Sequence, residues 1–540
     1  MNKNILFPDF NAVIDFKQIN PEQIKQARER TIASAEGIVK EIIQVKDGDH
    51  TLDNTLKRFD DLSNEVEKVH ASLFLMAYVH PEADIREESL ESIKALNRLE
   101  TRIKMNVDLY QAMKTYSDSV ETEALGEAHQ KFLRDTLRNF EQNGLGLPEE
   151  KREQIKKLQD EIADLGLQFE SNISNYQDAL YLEEKEMEGL PEDYKKARKI
   201  EENKYKIDLT YPSYFPFMKY ARSGRARKAL SKKFKNIAAD KNLPVLLQLL
   251  KKRKQLAHLL GYETYAAYKL ENRMAKDPAT VWDFEQTLRE KVKNKAQNDY
   301  QKLLDKKKQK GDANAQKIHS WESTYYTTLM LKEDYYVDDE AIKPYFELNR
   351  ILEGLFTVAG QLFGIEFREV DNPSVWHEDV RLFEVYAQNA LTGRFYLDLF
   401  PRDNKFNHAA CFTIIPGKET EQGYQKPTAS LVTNFPKPSG DTPSLLPHSE
   451  VVTLFHEFGH LMHDLLTKAP LSAQSGTSTK RDFVEVPSQL FEHWAWEYES
   501  LKQFAKHYQT GEILPETQHQ KMVEAKNVGS GLFILQQIFY

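Results

Sequence analysis

In the stretch Thr453–Asp464, TLFHEFGHLMHD, two histidines stand four apart and a glutamate follows the first. A helix advances 100° per residue, so His456 and His460 lie about 40° apart on one face and can aim both rings at one point. Two neutral imidazoles at that spacing suit a zinc ion. Glu457 flanks the same face, close enough to meet a water on that ion, where a carboxylate serves as general base. The competing possibility is a pair of histidines that only pack and hydrogen-bond. Gly459 costs such a helix about 1 kcal/mol relative to alanine and is tolerated where something must approach the backbone closely.

A zinc site of this kind needs a third protein ligand. One pattern places a glycine seven residues after the first histidine and a third histidine ten after it. Those positions hold His463 and Leu466, which excludes that pattern. The other option is a glutamate on a following helix. RDFVEVPSQ supplies Glu485, 29 positions after His456. Spacing alone leaves it open whether Glu485 is a ligand or belongs to a capped helix start with Arg481 and Asp482. His463 shares the histidine face but lies about 10 Å of helix rise beyond His456, so packing suits it better than ligation. Asp464, four after His460, is placed either to orient that ring or to sit on the surface.

The elements that must hold these residues are mostly helical. Ile155, Leu158, Ile162, Leu165, Phe169 and Ile173 recur at three- and four-residue steps among charged residues, one apolar stripe on a long helix. Similar patterns predict helices over 22–46, 51–80, 85–115 and 122–142. Asn143-Gly144, Gly189-Leu190-Pro191 and Tyr211-Pro212 with Pro216 punctuate the chain. Residues 305–315 are polar and predict a loop or helix end. After Gly364 the texture changes. Strands are expected over 365–370, 381–387, 395–400, 409–415 and 428–434, with Gln388–Gly393 as a hairpin connection. Helix returns from Ser449. The expected fold class is mainly α with a small β-sheet next to the histidine helix. The expected division is 1–145, 146–364 and 365–540.

Composition narrows the partners. The chain has 540 residues, with 29% charged, 40% hydrophobic and a net charge of −9 from 74 basic and 83 acidic residues. That balance argues against nucleic acid or an anionic membrane as the main partner. The basic run RSGRARKALSKKFK (222–235) suits a solvated helix face. The single cysteine, Cys411, sits in the apolar stretch HAACFTII and forms no intrachain disulfide. The N-terminal stretch lacks the apolar core of a secretory signal, and no apolar run approaches the roughly 20 residues needed to span a bilayer. A cytoplasmic, monomeric protein is the expectation.

The runs LFHEFGHLMH and SGTSTKRDFVEVPSQLFEHW resemble the thimet oligopeptidase and neurolysin family of zinc metallopeptidases, to which bacterial oligopeptidases and dipeptidyl carboxypeptidases also belong. RNFEQNGLGL (138–147), ENRMAKDP (271–278), WESTYY (321–326), GRFYLDLFPRDNKFNHAA (393–410) and ASLVTNF (429–435) follow the same pattern. The likeness runs along nearly the whole chain and is densest from Gly393 to Trp494.

The resemblance implies that His456, His460 and Glu485 bind one Zn2+ and that Glu457 is the catalytic base for a zinc-activated water. It implies two largely helical lobes around a deep channel that admits short unfolded peptides and excludes folded proteins. It implies that the strand before the zinc helix, 428–434, lines the channel as an edge strand, and that 472–480 is a flexible segment over the site. Members of the family continue well beyond the position of Tyr540, with tyrosine and histidine donors for the tetrahedral intermediate. The expectation is therefore a fragment of a longer protein, with no oxyanion donor assignable in this chain. Endopeptidase and dipeptidyl carboxypeptidase both remain open, as does a peptide-binding protein inactive without that segment.

Overall fold

The computed structural model describes residues 4–119, 122 and 124–539. Most of the described chain is helical, with three small sheets. It divides into two compact units, Met1–Arg152 with Ile342–Leu514 and Glu153–Ala341 with Pro515–Tyr540. Among the described residues no helix is long and apolar enough to cross a membrane.

The first unit opens with helices Pro21–Ile43, Arg58–Val79 and Ala83–Lys104, which pack on one another. Asn20 caps the first by accepting from the Gln23 N–H at 3.0 Å, with Pro21 at the first helical position. Ile24, Ile38, Ile42, Leu73, Met76 and Leu96 fill the space between them. The expected helix over 85–115 is broken. Its apolar period continues, but Asn106 accepts from the Leu109 N–H at 2.9 Å and starts a new helix, Val107–Ser117. The helix expected over 122–142 spans Glu127–Gln142, and Gly144 follows at φ +88.

The five-stranded sheet runs in the order Ile365–Glu369, Arg381–Ala387, Ala390–Asp398, Thr428–Val432, Ala410–Ile415. Ala390–Asp398 and Thr428–Val432 pair in parallel; the other neighbours are antiparallel. The hairpin connection is shorter than expected. Only Gln388 and Asn389 form it, both left-handed at φ 50 and 64, so the next strand starts at Ala390. Side chains alternate across the sheet. Tyr396 packs with Trp376 (5.0 Å) and Phe16 (5.6 Å) on one face, and Phe395 lies 6.3 Å from Phe458 of the histidine helix on the other.

The strand order corrects the expectation for 428–434. Thr428–Val432 is interior, paired on both sides and buried at every residue. The edge strand beside it is Ala410–Ile415, whose residues are mostly half-buried; Ile365–Glu369 forms the opposite edge. A parallel crossover inserts the later strand between two earlier ones, which spacing along the chain does not reveal.

The apolar stripe lies on the helix Glu149–Ser174, buried at Ile155 and Leu158 and half-buried at Ile162, Leu165 and Phe169, while Ile173 is exposed. A three-stranded sheet orders Ala179–Glu183, Lys204–Asp208 and Lys199–Glu201. Pro216, read as punctuation, lies inside the helix Tyr211–Tyr220. Its missing N–H leaves the Pro212 carbonyl free, and the Arg198 guanidinium donates to that oxygen at 2.7 Å. The long helix Pro278–Gln309 packs against Ser530–Phe539. Gly531 permits this, since a Cβ there would lie 2.6 Å from the Ala296 nitrogen. Tyr540 lies outside the described residues.

Candidate metal centre

The HEFGH segment lies on the helix His448–Leu465. Val451, Leu454, Phe455, Phe458, Leu461, Met462 and Leu465 bury one side of it. The same periodicity leaves His456 and His460 on the open side, with side chains 25% and 13% exposed. Glu485 is the first residue of the helix Glu485–Glu492, and its side chain is 53% exposed.

The two helices meet through Gly459. A Cβ there would lie 2.6 Å from Ser488 Cα and 2.9 Å from the Pro487 carbonyl oxygen. Glycine thus lets the second helix close on the first, as the cost of a mid-helix glycine suggested. The approach brings Glu485 Oε2 to 3.2 Å from His456 Nε2 and 3.1 Å from His460 Nε2. The Ser488 hydroxyl donates to that same oxygen at 2.8 Å and fixes its rotamer.

The three ligand atoms lie within 4.8 Å of one another. A tetrahedral zinc site with bonds of about 2.0–2.2 Å places its ligand atoms roughly 3.3 Å apart, so this set has the right donors at the right separation. The tautomer of His456 also fits. Its Nδ1 lies 2.8 Å from Glu492 Oε1, so Nδ1 carries the proton and Nε2 keeps its lone pair. Burial, with His456 nearby, lowers the His460 pKa against the pull of Glu485, favouring the neutral ring that ligation needs. Burial raises the Glu485 carboxyl, but its bond from Ser488 and the two histidines outweigh that and hold it below the ordinary range.

A family model for peptidase family M3 matches residues 217–540. The chain belongs to peptidase family M3. It is 35% identical over 537 residues to the thimet-like oligopeptidase of Dictyostelium discoideum, covering 96% of this chain and 80% of that protein. It is 31% identical over 542 residues to oligopeptidase A of Escherichia coli, with 97% and 79% covered. Saccharolysin of Saccharomyces cerevisiae is 32% identical over 523 residues, with 91% and 72% covered. Family and cluster together make this M3 chain a zinc metalloenzyme.

Around the M3 cluster, Glu457 is buried. Burial raises its pKa most, His456 draws it down, Glu485 raises it, and the backbone N–H of Cys411 draws it down. Cys411 thus lies on the edge strand beside Glu457, with its thiol held well up by burial and the nearby carboxylates. Glu492 is a residue that spacing arguments missed. It stands seven after Glu485, two helical turns along the same face, a signal present in the sequence.

Asp464 is neither on the surface nor hydrogen-bonded to His460. It is buried, accepting from the Thr477 N–H and hydroxyl at 2.8 Å each and from the Thr413 hydroxyl at 2.6 Å. The Nδ1 atoms of His460 and His463 are buried without a partner among the described residues. Of the segment 472–480, expected to be flexible, the first part is anchored and 478–480 is exposed. Asp60, itself paired with Lys418 at 2.7 Å, accepts from Ser472 N–H at 3.1 Å and from its hydroxyl at 2.8 Å. Ser475 Oγ accepts from the Gly417 N–H at 2.8 Å. These bonds anchor the first part of the chain that leads from the histidine helix to Glu485.

Proposed function

We propose that this M3 enzyme is an oligopeptidase that hydrolyses short unfolded peptides, with zinc held by His456, His460 and Glu485 and with Glu457 as general base. The observation that carries the proposal is the single oxygen, Glu485 Oε2, within 3.2 Å of both imidazole Nε2 atoms. The names of the relatives, thimet-like oligopeptidase and oligopeptidase A, support the substrate class.

Zinc in such a site supplies a Lewis acid and lowers the pKa of water from 15.7 toward about 7. Glu457 takes the proton from the attacking water and returns it to the leaving amine. Its burial strengthens that role, because a raised carboxyl pKa suits a group that must both accept and release a proton near neutral pH. Glu492 and Ser488 hold the ligands in position. The edge strand Ala410–Ile415 offers backbone N–H and C=O groups to an extended peptide, which explains tolerance of many side chains.

The test is hydrolysis of a quenched fluorescent peptide by protein of measured zinc content, with and without chelator. E457Q retains zinc and loses turnover; H456A loses zinc. Equal cleavage by zinc-free protein, or an active E457Q, rejects the mechanism. Products from one peptide with free and amidated C-termini separate an endopeptidase from a dipeptidyl carboxypeptidase.

A further inference from the structure

Across the five-stranded sheet, Tyr396, Ser430 and Phe412 stand opposite one another on three neighbouring strands. Residues paired in register point to the same face, so Phe412 is the last of this row. The face is the one that carries Trp376 and Phe16, away from the histidine helix. Beyond Phe412 the sheet stops. No backbone hydrogen bond from another segment takes the free side of Ala410–Ile415 among the described residues.

Four aromatic rings gather at that end of the row. Phe412 lies 6.0 Å from Phe74 and 5.8 Å from Phe406. Tyr78 closes the circuit, 4.8 Å from Phe74 and 6.1 Å from Phe406. Phe74 and Tyr78 are four apart on the helix Arg58–Val79, which puts both on one side of it. Further in, the face is closed: Phe16, Trp376 and Tyr396 are all buried. The four outer rings are open. Tyr78 is 38% exposed, and Phe74, Phe406 and Phe412 are half-buried. Their supports are rigid. The Phe406 N–H donates to the Tyr78 carbonyl at 2.7 Å, and the Asn434 side chain donates to the Phe406 carbonyl at 2.9 Å.

The register connects these rings to the reaction. Glu457 accepts from the Cys411 backbone N–H, so the general base stands one residue along the strand from Phe412. A strand advances about 3.3 Å per residue. A peptide that pairs with the free side of Ala410–Ile415 carries its scissile bond near Cys411. It then sets a side chain beside Phe412 about one or two residues away. Aromatic rings attract one another at centroid separations of about 4.5–7 Å, beyond the area they bury. We propose that Phe74, Tyr78, Phe406 and Phe412 form a subsite for an aromatic side chain of the substrate, within about two residues of the bond that is cut. The inference rests on the peptidase reading above.

The experiment is a Phe-for-Ala scan through one quenched fluorescent peptide with blocked ends. The cleaved bond and kcat/KM are determined on the zinc enzyme, on Y78A and on F406L. In the unaltered enzyme, phenylalanine raises kcat/KM about tenfold at one position within about two residues of the cut, the effect of a few ring contacts. In both variants that ratio falls toward one. Tyr78 is open to solvent, and leucine keeps an apolar group at 406, so both chains are expected to fold. The ratio is blind to a merely structural loss, which lowers both rates together. A favoured position farther from the cut, no favoured position, or an unchanged ratio in either variant overturns the proposal. Binding of the same peptides to zinc-loaded E457Q, read by fluorescence anisotropy, reports the preference without turnover. Peptides that bind with this preference but are never cut by the unaltered enzyme count against the peptidase; a missing preference counts against the four rings.

Discussion

Gly459 and Ser488 meet backbone to backbone, so closely that a Cβ on the glycine would stand 2.6 Å from Ser488 Cα. This contact sets the separation of the helix that carries the two histidines from the helix that carries Glu485. It also explains why the helix accepts a residue that weakens it.

G459A is expected to gain about 1 kcal/mol in helix propensity and to lose about 1–3 kcal/mol to overpacking. The larger effect falls on the metal, because the added methyl pushes Glu485 away from both rings. Zinc affinity, measured by competition with a chromophoric chelator, drops tenfold or more by the standard of small ligand displacements. Unchanged affinity together with a raised melting temperature would show that the two helices are not held apart by this contact.

Glu492 fixes the ring of His456 through Nδ1 at 2.8 Å. E492Q removes the charge and leaves a group of the same size. Loss of such a partner weakens metal binding about 10–100-fold. Chelator competition on E492Q checks this, with circular dichroism confirming an intact fold. Zinc binding as tight as in the unaltered chain rules out the orienting role.

Much of the site was legible because its geometry is local. His456, Glu457 and His460 share one helix, whose periodicity fixes their relative directions without any tertiary knowledge. Glu485 needed more: spacing left it open, and the resemblance supplied the choice. Glu492 was overlooked because a glutamate on an amphipathic helix ordinarily faces solvent. Asp464 was misjudged for the opposite reason. Its partners, Thr413 and Thr477, are distant along the chain, so nothing near it signalled burial. The strands themselves followed from apolar runs, but their order did not. Thr428–Val432 lies between strands that precede it, and only the assembled sheet shows that Ala410–Ile415 is at an edge.

Asp398 ends the strand beside Thr428–Val432 and is fully buried with Lys405, at 2.8 Å, and Arg402, at 2.7 Å. Breaking a buried pair costs about 3–5 kcal/mol, since the cation left behind has no countercharge. Burial pushes the Asp398 carboxyl up, yet Arg402 and Lys405 prevail and hold it below the ordinary range. Its stabilisation is present above the unfolded value of about 3.9 and is lost as pH falls through the lower folded value. Burial lowers Lys405 to about 8. Between that value and the unfolded value of about 10.4 the folded chain has already released its proton, so stability rises with pH there. The melting-temperature gap between the unaltered chain and D398N should therefore be wide at neutral pH and narrow as pH falls through the folded carboxyl value. A calorimetric series giving one constant gap would falsify the assignment of the pair.

Gly476 and Gly440 both hold left-handed backbone, at φ +50 and +56, but in different surroundings. A Cβ on Gly440 would meet nothing within 4 Å, whereas one on Gly476 would stand 2.2 Å from Asp464 Oδ1 and 2.7 Å from Asp464 Cα. G440A should cost only the left-handed penalty, about 1–2 kcal/mol. G476A pays that penalty and also displaces Asp464, which breaks the bonds to Thr477 and Thr413 and loosens the chain leading to Glu485. It should lose more thermal stability than G440A, and it alone should lose zinc affinity. The comparison controls for backbone strain, so equal losses in the two variants would mean that the Asp464 anchor contributes nothing to the site.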